Sequence, residues 1–327
     1  MTFLVSTANL FIWGLNYTLG EVPLELPHLE QAGLIAGDAA ALAEMGYSCC
    51  RGVGENQSFL GMLEDVSRRA LAATSAKPRL ILFQHALFES ATAPWDPSEP
   101  DAKTRYAYSG AVLLRELGLD HLPYFCLFQN GCAGFAFLLM TAAGQLLAGG
   151  GEAPVICVMG DRRPENGFCD MARERILGSD HASSFVMSGE PAGYQLLGVD
   201  CYSTPRTIVP LVEIVQRTMK MIRRLAQQLS LDLSDPNLRV HYPNIFPDAW
   251  KLVTRGLRLR PEQAVMIDMP ERAHCGGSDS LISLSKLHGG NEGRIHVVVT
   301  YGAGVHLAIA VLREQKAAAP ALLHKAA

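Results

Sequence analysis

Cys132 has the sequence context of a reactive nucleophile. The apolar run LPYFCLF at 122–128 is typical of a buried strand, and a short polar turn at 129–131 separates it from small and apolar residues at 133–149 with helical spacing. The pattern therefore predicts that Cys132 lies at a helix N-terminus, where free backbone N–H groups and the helix dipole stabilise a thiolate. A thiolate is the nucleophile that thioester exchange requires, so we expect a cysteine that carries acyl groups.

The alternative for Cys132 is a buried structural cysteine, which is how we interpret the other seven of the eight cysteines. The small neighbours Gly131, Ala133 and Gly134 favour the reactive interpretation, because they leave room for an acyl chain beside the sulfur. The cysteines are scattered and show no C-x-x-C spacing, so the sequence favours a reducing, cytoplasmic location over a disulfide framework.

Strand-length apolar runs alternate with helical patterns, and these elements must position the cysteine. The apolar runs lie at 78–86, 122–128, 154–160, 236–241, 263–268, 294–301 and 304–312, and the helical patterns at 57–74, 133–149 and 208–230. The alternation predicts an α/β protein with a mixed sheet rich in βαβ units. Because both parts of the chain lead to a strand, a polar turn and a helix that begins with small residues, we expect two similar halves at 1–170 and 171–315. We expect a flexible tail at 316–327.

Composition and charge exclude several classes of function. With 327 residues and 49% hydrophobic content the chain can bury a large core. Its 28 Lys and Arg against 32 Asp and Glu give a net charge of -4, without the basic excess that nucleic-acid binding needs. The start, MTFLVSTANLFIW, lacks a basic n-region and a cleavage site, so it predicts a core strand and not a signal peptide. We expect neither a membrane span nor a metal site.

Four short blocks resemble motifs of the β-ketoacyl-acyl-carrier-protein synthase III family, a branch of the thiolase superfamily. NGCAGF at 130–135 resembles its A-C-A-G-F nucleophile elbow, and HYPN at 241–244 is similar to its H-Q-A-N motif. HCGGSDS at 274–280 lies where the family has G-N-T-S-A-A-S, and YGAG at 301–304 resembles its G-F-G-G-G turn. The blocks agree in order and spacing over residues 75–314. The resemblance implies a thiolase fold, a five-layered α-β-α-β-α sandwich, and a homodimer.

The resemblance also implies roles for individual residues. Cys132 would attack an acyl thioester on coenzyme A or on an acyl carrier protein, and His241 would act as base and later as acid. Asn244 would contact the pantetheine arm, and the backbone N–H groups of Cys132 and Gly304 would form the oxyanion hole. No permanently bound cofactor is implied, since acyl-CoA or a phosphopantetheine-carried acyl group is the substrate.

One motif departs from the family. The usual third catalytic residue is an asparagine, and none occurs at 245–290. His274 could donate a hydrogen bond in its place, as in elongating synthases with a Cys-His-His set. Alternatively, H-C-G-G-S-D resembles the G-H-x-x-x-S-D pattern of synthase III relatives from natural-product pathways, in which Asp279 would orient a histidine. A helix N-cap is an equal interpretation of Asp279.

The leading functional prediction is acyl transfer through Cys132 to a carbon, oxygen or nitrogen nucleophile, in a specialised fatty-acid or polyketide-type pathway. Decarboxylative Claisen condensation with a malonyl thioester is one alternative, and a catalytically silent subunit of a synthase heterodimer is another. The segment Cys49–Val53 departs from the pattern of coenzyme A users, which leaves the donor open between coenzyme A and a carrier protein. Arg223, Arg224, Arg255 and Arg258 are candidate contacts for an acidic carrier, or a solvated helix face.

Overall fold

The computed structural model of the chain describes residues 2–4, 9–92, 107–149, 153–164, 167–206, 209–289, 291–302 and 306–315. The predicted tail at 316–327 and the predicted oxyanion residue Gly304 lie outside these ranges.

Strands and helices alternate as the sequence predicts. The strands are β1 (Thr2–Leu4), β2 (Phe11–Leu19), β3 (Val22–Glu25), β4 (Cys49–Gly52), β5 (Leu80–Gln84), β6 (Tyr124–Leu127), β7 (Val155–Asp161), β8 (Asp170–Met171), β9 (Ile176–Leu177), β10 (His181–Ser188), β11 (Tyr194–Ser203), β12 (Arg239–His241), β13 (Ala264–Val265), β14 (Ile295–Gly302) and β15 (His306–Glu314). The α-helices are α1 (Leu26–Gln31), α2 (Ala39–Glu44), α3 (Phe59–Ala73), α4 (Phe88–Ala91), α5 (Ser109–Glu116), α6 (Gly134–Ala148), α7 (Leu211–Gln228), α8 (Pro247–Gly256), α9 (Met269–Arg272) and α10 (Ser278–Leu287).

The main sheet contains two copies of one strand pattern. Its order is β13-β12-β14-β15-β11-β2-β10-β7-β5-β6, with β1 added beside β11. Each copy has five strands, which can be numbered in chain order within the copy. From the centre of the sheet outward both copies run first, fifth, fourth, second, third, as β2-β10-β7-β5-β6 and as β11-β15-β14-β12-β13. In both copies the second strand pairs in parallel with the third and with the fourth strand. The two similar halves are therefore present, and the chain passes from the first copy to the second at 189–193. The division at residue 170 stays a prediction, because strand order alone does not define separate units.

Helices form three layers around these strands. Helix α3 packs on β2, β7 and β10 of the first half, and α7 packs on β11 and β15 of the second. Helices α6 and α10 lie between the halves, since each contacts strands of both. This arrangement is the five-layered α-β-α-β-α sandwich.

The middle helix α6 is apolar on all sides because sheets cover it from both halves. Phe135, Leu138, Leu139 and Leu146 are fully buried in the central core. In the described part of the chain, Gly131–Ala148 is long and apolar enough to cross a membrane by length and composition, although half of it is buried inside the protein. The expectation that no run reaches this length was wrong, for a physical reason: a helix enclosed by two sheets needs no polar face.

Candidate active site

The turn before α6 presents Cys132 at the meeting point of the two halves. Gln129 and Gly131 have positive φ angles of 76° and 53°, which reverse the chain sharply after β6. A single 3-10 turn, Gly131–Ala133, then leads into α6, and the Cys132 side chain stays partly exposed. A positive φ at Gln129 is costly for a residue with a side chain, so the surrounding contacts must hold this turn in place.

A glycine from the second half allows the close approach. A Cβ at Gly302, the last residue of β14, would lie 2.3 Å from the Asn130 carbonyl oxygen and 3.1 Å from the Cys132 backbone nitrogen. Any side chain at this position would therefore push the cysteine turn away from β14. The YGAG block thus has a packing role that does not depend on the undescribed Gly304.

His274 is the imidazole beside Cys132. Its Nδ1 lies 2.6 Å from Oδ2 of Asp279. The Cys132 sulfur is close enough to the imidazole to be among the groups that raise its pKa. The backbone of His274 is fixed on both sides, because its N–H donates to the Leu177 carbonyl and its carbonyl accepts from the Ser179 N–H, both at 2.9 Å.

Asp279 is a buried anion with four donors. One carboxylate oxygen accepts from His274 and from the Asn244 backbone N–H at 2.9 Å, and the other accepts from the Cys275 backbone N–H at 3.0 Å and from the Arg272 guanidinium. Burial alone would raise the pKa of this carboxyl, but the charges and hydrogen bonds of Arg272 and His274 hold it well below its ordinary value. Asp279 is therefore ionised and aims His274 at the cysteine.

The same contacts make His274 a cation. Burial alone would lower the pKa of its imidazole, but the Cys132 sulfur and the Asp279 carboxylate raise it to about 10. An imidazolium at this position can donate a proton to a group bound beside Cys132. The chain therefore brings together Cys132, His274 and Asp279, with His274 held by the Asp279 carboxylate.

Two cavities of about 340 Å³ each meet at this set. We call them the Phe246 cavity and the Cys169 cavity, and Cys132, His274 and Met171 line both. Apolar side chains such as Ile214 make up most of the Phe246 cavity. The sulfur is thus reachable from two directions, which suits a nucleophile that must meet two substrates in turn.

His241, the predicted base, has both ring nitrogens engaged by other side chains. It is 1% exposed, and the residues described as lining the two cavities do not include it. Its Nδ1 lies 2.6 Å from the Ser283 hydroxyl and its Nε2 lies 2.8 Å from Nδ1 of His296. Burial and the neighbouring His296 lower the pKa of His241 well below its ordinary value. These contacts connect β12 with α10 and β14, and a role for His241 at Cys132 stays a prediction.

Asn244 is also buried, and its contact with a pantetheine arm stays a prediction. Its amide Nδ2 donates to the carbonyls of Ile267 and Ala273 at 3.0 Å each. Ala273 has φ 48° and ψ −146°, a conformation that costs a residue other than glycine about 1–3 kcal/mol. Asn244 therefore fixes the strained residue that immediately precedes His274.

The sequence analysis missed Arg272, the buried partner of Asp279. Arg272 is 3% exposed and pairs with a carboxylate that is itself 2% exposed. The segment E-R-A-H-C-G-G-S-D contained a signal for this ion pair. An arginine and an acidic residue seven positions apart can pair when they lie on either side of a short turn. Spacing alone could not show that both groups are buried.

Solved structures with this fold include three enzymes. ChlB3, an acyltransferase, is 19% identical with a TM-score of 0.74, and the match covers 94% of this chain and 98% of ChlB3. The 3-oxoacyl-(acyl carrier protein) synthase III FabH from Pseudomonas aeruginosa PAO1 is 17% identical with a TM-score of 0.73, covering 95% and 99%. Xanthomonas campestris OleA, solved with lauric acid and lauroyl-CoA, is 16% identical with a TM-score of 0.71, covering 93% and 99%. No protein-family model matches the chain, and no curated protein gives a significant sequence match.

These similarities define the class by its fold. The chain is a thiolase-fold protein, and the resemblance of its motifs to the synthase III branch is confirmed at the level of the fold. Identities below 20% do not transfer a reaction, so the activity must be argued from the site.

Proposed function

We propose that the protein is an acyltransferase that carries the acyl group as a thioester on Cys132. The observation that supports this most directly is the group of Cys132, His274 and Asp279 at the junction of two cavities, with His274 hydrogen-bonded to Asp279. A nucleophile, a proton carrier and a group that orients the proton carrier are what covalent acyl transfer requires.

The first half-reaction uses the resting ion pair. The Cys132 thiolate attacks the thioester carbonyl of acyl-CoA or of an acyl carrier protein, and a carbon–sulfur bond forms to give a tetrahedral oxyanion. The Cys132 backbone N–H is one donor for this oxyanion, and Gly304 stays the predicted second donor. The intermediate then expels the pantetheine thiolate, which takes the proton from the His274 imidazolium.

The second half-reaction reverses the proton transfer. Neutral His274, still held by Asp279, accepts the proton of an acceptor hydroxyl or amine as that group attacks the acyl-enzyme. The thioester bond breaks, and the thiolate and imidazolium are restored. One imidazole therefore serves both steps, and no bound cofactor is needed. The acceptor is proposed to be a small molecule with an oxygen or nitrogen nucleophile.

Decarboxylative condensation is less well supported. In decarboxylating relatives, as the motif resemblance implies, an asparagine and a histidine both donate hydrogen bonds to the thioester oxygen of the malonyl substrate. Here the asparagine is replaced, and His241 is engaged with Ser283 and His296. The silent-subunit alternative is weakened by the complete set around Cys132.

Intact-mass measurement after incubation with a panel of acyl-CoA and acyl-carrier-protein donors tests the proposal. We expect one acyl group per chain, absent in Cys132→Ser and strongly reduced in His274→Gln, and the retained mass identifies the acyl group. His241→Gln is the matched control, because it removes an imidazole whose two nitrogens are engaged by Ser283 and His296. An unacylated wild-type protein across the panel would support a silent subunit. Carbon dioxide release from a malonyl carrier by the acylated protein would instead support condensation.

We also propose that the protein forms a homodimer through β6. This strand ends the sheet order, and its Phe125 is 51% exposed beside the exposed Cys126. An apolar sheet edge is a template for strand pairing, and a second copy of β6 could continue the sheet across a two-fold axis.

A further inference from the structure

Cys169 is a second cysteine in the wall of the cavity that Cys132 lines, with a cation beside it. Nη1 of Arg163 donates to the Cys169 sulfur at 3.3 Å. The cysteine is 7% exposed and lines the Cys169 cavity together with Cys132 and His274. A guanidinium next to a sulfur at a cavity wall is the environment that favours a thiolate.

Cys50 stands behind this sulfur as a second thiol. It lies in β4, is 1% exposed, and is close enough to Cys169 for each cysteine to shift the pKa of the other. Both residues belong to one core cluster, and the Cys169 backbone is fixed by hydrogen bonds with Leu34 at 2.7 Å and Gly178 at 2.8 Å. The two sulfurs are therefore held next to each other by elements far apart in sequence.

The surroundings of the two sulfurs shift their pKa values in opposite directions. Cys50 and the hydrogen bond and charge of Arg163 lower the pKa of Cys169 to about 7, although burial and the nearby Asp180 oppose this. Cys169 and burial raise the pKa of Cys50 far above its ordinary value. Because the Arg163 guanidinium lies at Cys169, Cys169 is the sulfur that ionises more readily.

We propose that Cys169 and Cys50 form a peroxide-sensitive dithiol in the wall of the Cys169 cavity, in which Cys169 is oxidised first and Cys50 converts it to a disulfide. The Cys169 thiolate attacks one oxygen of a peroxide, so that a sulfur–oxygen bond forms, the peroxide bond breaks, and hydroxide leaves as water after protonation. The Cys50 sulfur then attacks the sulfenic sulfur. The disulfide forms as the sulfur–oxygen bond breaks, and hydroxide leaves with the Cys50 proton as water. Two electrons pass from the dithiol to the peroxide.

The disulfide would change the wall of the Cys169 cavity, which Cys132 also lines. Arg163 loses its thiolate partner, and the Cys169 sulfur is bound to β4 instead of facing the cavity. The oxidation itself requires no acyl transfer, so it can be tested whether or not the proposed activity is found.

The test is peptide mapping after treatment with limiting hydrogen peroxide at neutral pH and alkylation of the remaining thiols. We expect a linked pair of peptides containing Cys50 and Cys169, two hydrogens lighter than the reduced pair, in the wild type and in Cys132→Ser. In Cys50→Ser the reaction should stop at a sulfenic acid on Cys169 that a 1,3-diketone reagent traps. Arg163→Met should slow the oxidation of Cys169 about threefold or more, because less thiolate is present.

Cys126 in the Phe125→Glu variant, which is expected to be a monomer with an uncovered β6, is the internal control. Cys126 is exposed, but burial of its sulfur within β6 and the charge of Asp161 raise its pKa to about 11. If exposure alone governed oxidation, Cys126 would react before Cys169, and the proposal would be wrong. It would be equally wrong if Cys169 stayed fully alkylatable while Cys132 was oxidised, or if the linked peptides joined Cys169 to Cys132 and not to Cys50.

Discussion

Replacing Asp279 with asparagine isolates the charge that keeps His274 protonated. The substitution preserves the side-chain shape and removes a carboxylate whose Oδ2 lies 2.6 Å from the imidazole Nδ1. A unit charge about 4 Å from the centre of the imidazolium contributes about 4 kcal/mol at an effective dielectric constant of about 20, which corresponds to roughly 3 pH units. The pKa of His274, about 10 in the wild type, should therefore fall to roughly 7 in Asp279→Asn.

Carbon-13 NMR of protein labelled at histidine Cε1 measures this midpoint directly. The chain has ten histidines, so His274→Gln is needed to assign the signal that titrates far above the ordinary range. The wild type should lose its imidazolium only as the pH rises through about 10. In the variant the imidazolium, and the rate at which Cys132 reacts with an alkylating agent at neutral pH, should both decrease.

Arg272 loses its ion-pair partner in Asp279→Asn, and replacing both residues provides the control. Asp279→Asn leaves this guanidinium buried without its anion, which typically costs about 3–5 kcal/mol of unfolding free energy. Asp279→Asn/Arg272→Met removes both charges and should recover much of that loss in urea denaturation, while the His274 midpoint stays low. A folded Asp279→Asn protein whose His274 still titrated near 10 would refute the argument that the carboxylate holds the proton.

Four further predictions follow from the same contacts. His241→Asn should lower the unfolding free energy by about 1–3 kcal/mol through its lost hydrogen bonds, yet leave acylation of Cys132 within about twofold of wild type by intact mass. Gly302→Ala should reduce that acylation at least about tenfold by displacing the cysteine turn, with a near-native far-UV circular dichroism spectrum. Phe125→Glu should convert a dimer to a monomer in light scattering, because it adds a charge to the β6 edge. Because the pKa of His274 is raised on folding, its stabilising contribution is complete below its unfolded value of about 6.5 and is lost as pH rises through about 10; urea midpoints should fall over that window in the wild type and not in His274→Gln.

The α/β architecture and the nucleophile turn could be predicted from sequence because both are local signals. Apolar runs of strand length, and helical patterns between them, are set by which residues must be buried, and β5, β6 and α3 lie inside the predicted ranges. The reversal before Cys132 needed only Gly131 and the small residues that follow. Hydropathy alone does not separate α6 from a membrane span, because it reports burial without distinguishing a protein core from a membrane.

The choice of histidine could not be predicted, because it depends on how β12, β14 and α10 are placed in three dimensions. His241 ends β12, and the side chain that seals it, His296, comes from β14 in a parallel register that pairs Arg239 with His296. His274 follows β13 on a strained turn, and only the folded chain brings it to Cys132. The spacing in sequence allowed either imidazole to lie beside Cys132, and the folded chain places His274 with Cys132 in the lining of both cavities.

The H-Y-P-N block holds residues on either side of His274 in this structure. The side chain of Asn244 holds the carbonyl of Ala273, and its backbone N–H binds Asp279, so the block now supports the residues on either side of His274. In the proposed mechanism one imidazole fixed by a carboxylate carries the proton at the sulfur, and this arrangement can deprotonate an incoming hydroxyl or amine. An enolate from decarboxylation would need a second hydrogen-bond donor at the thioester oxygen, and both ring nitrogens of His241 are engaged elsewhere. For this reason we propose transfer to oxygen or nitrogen over carbon–carbon bond formation.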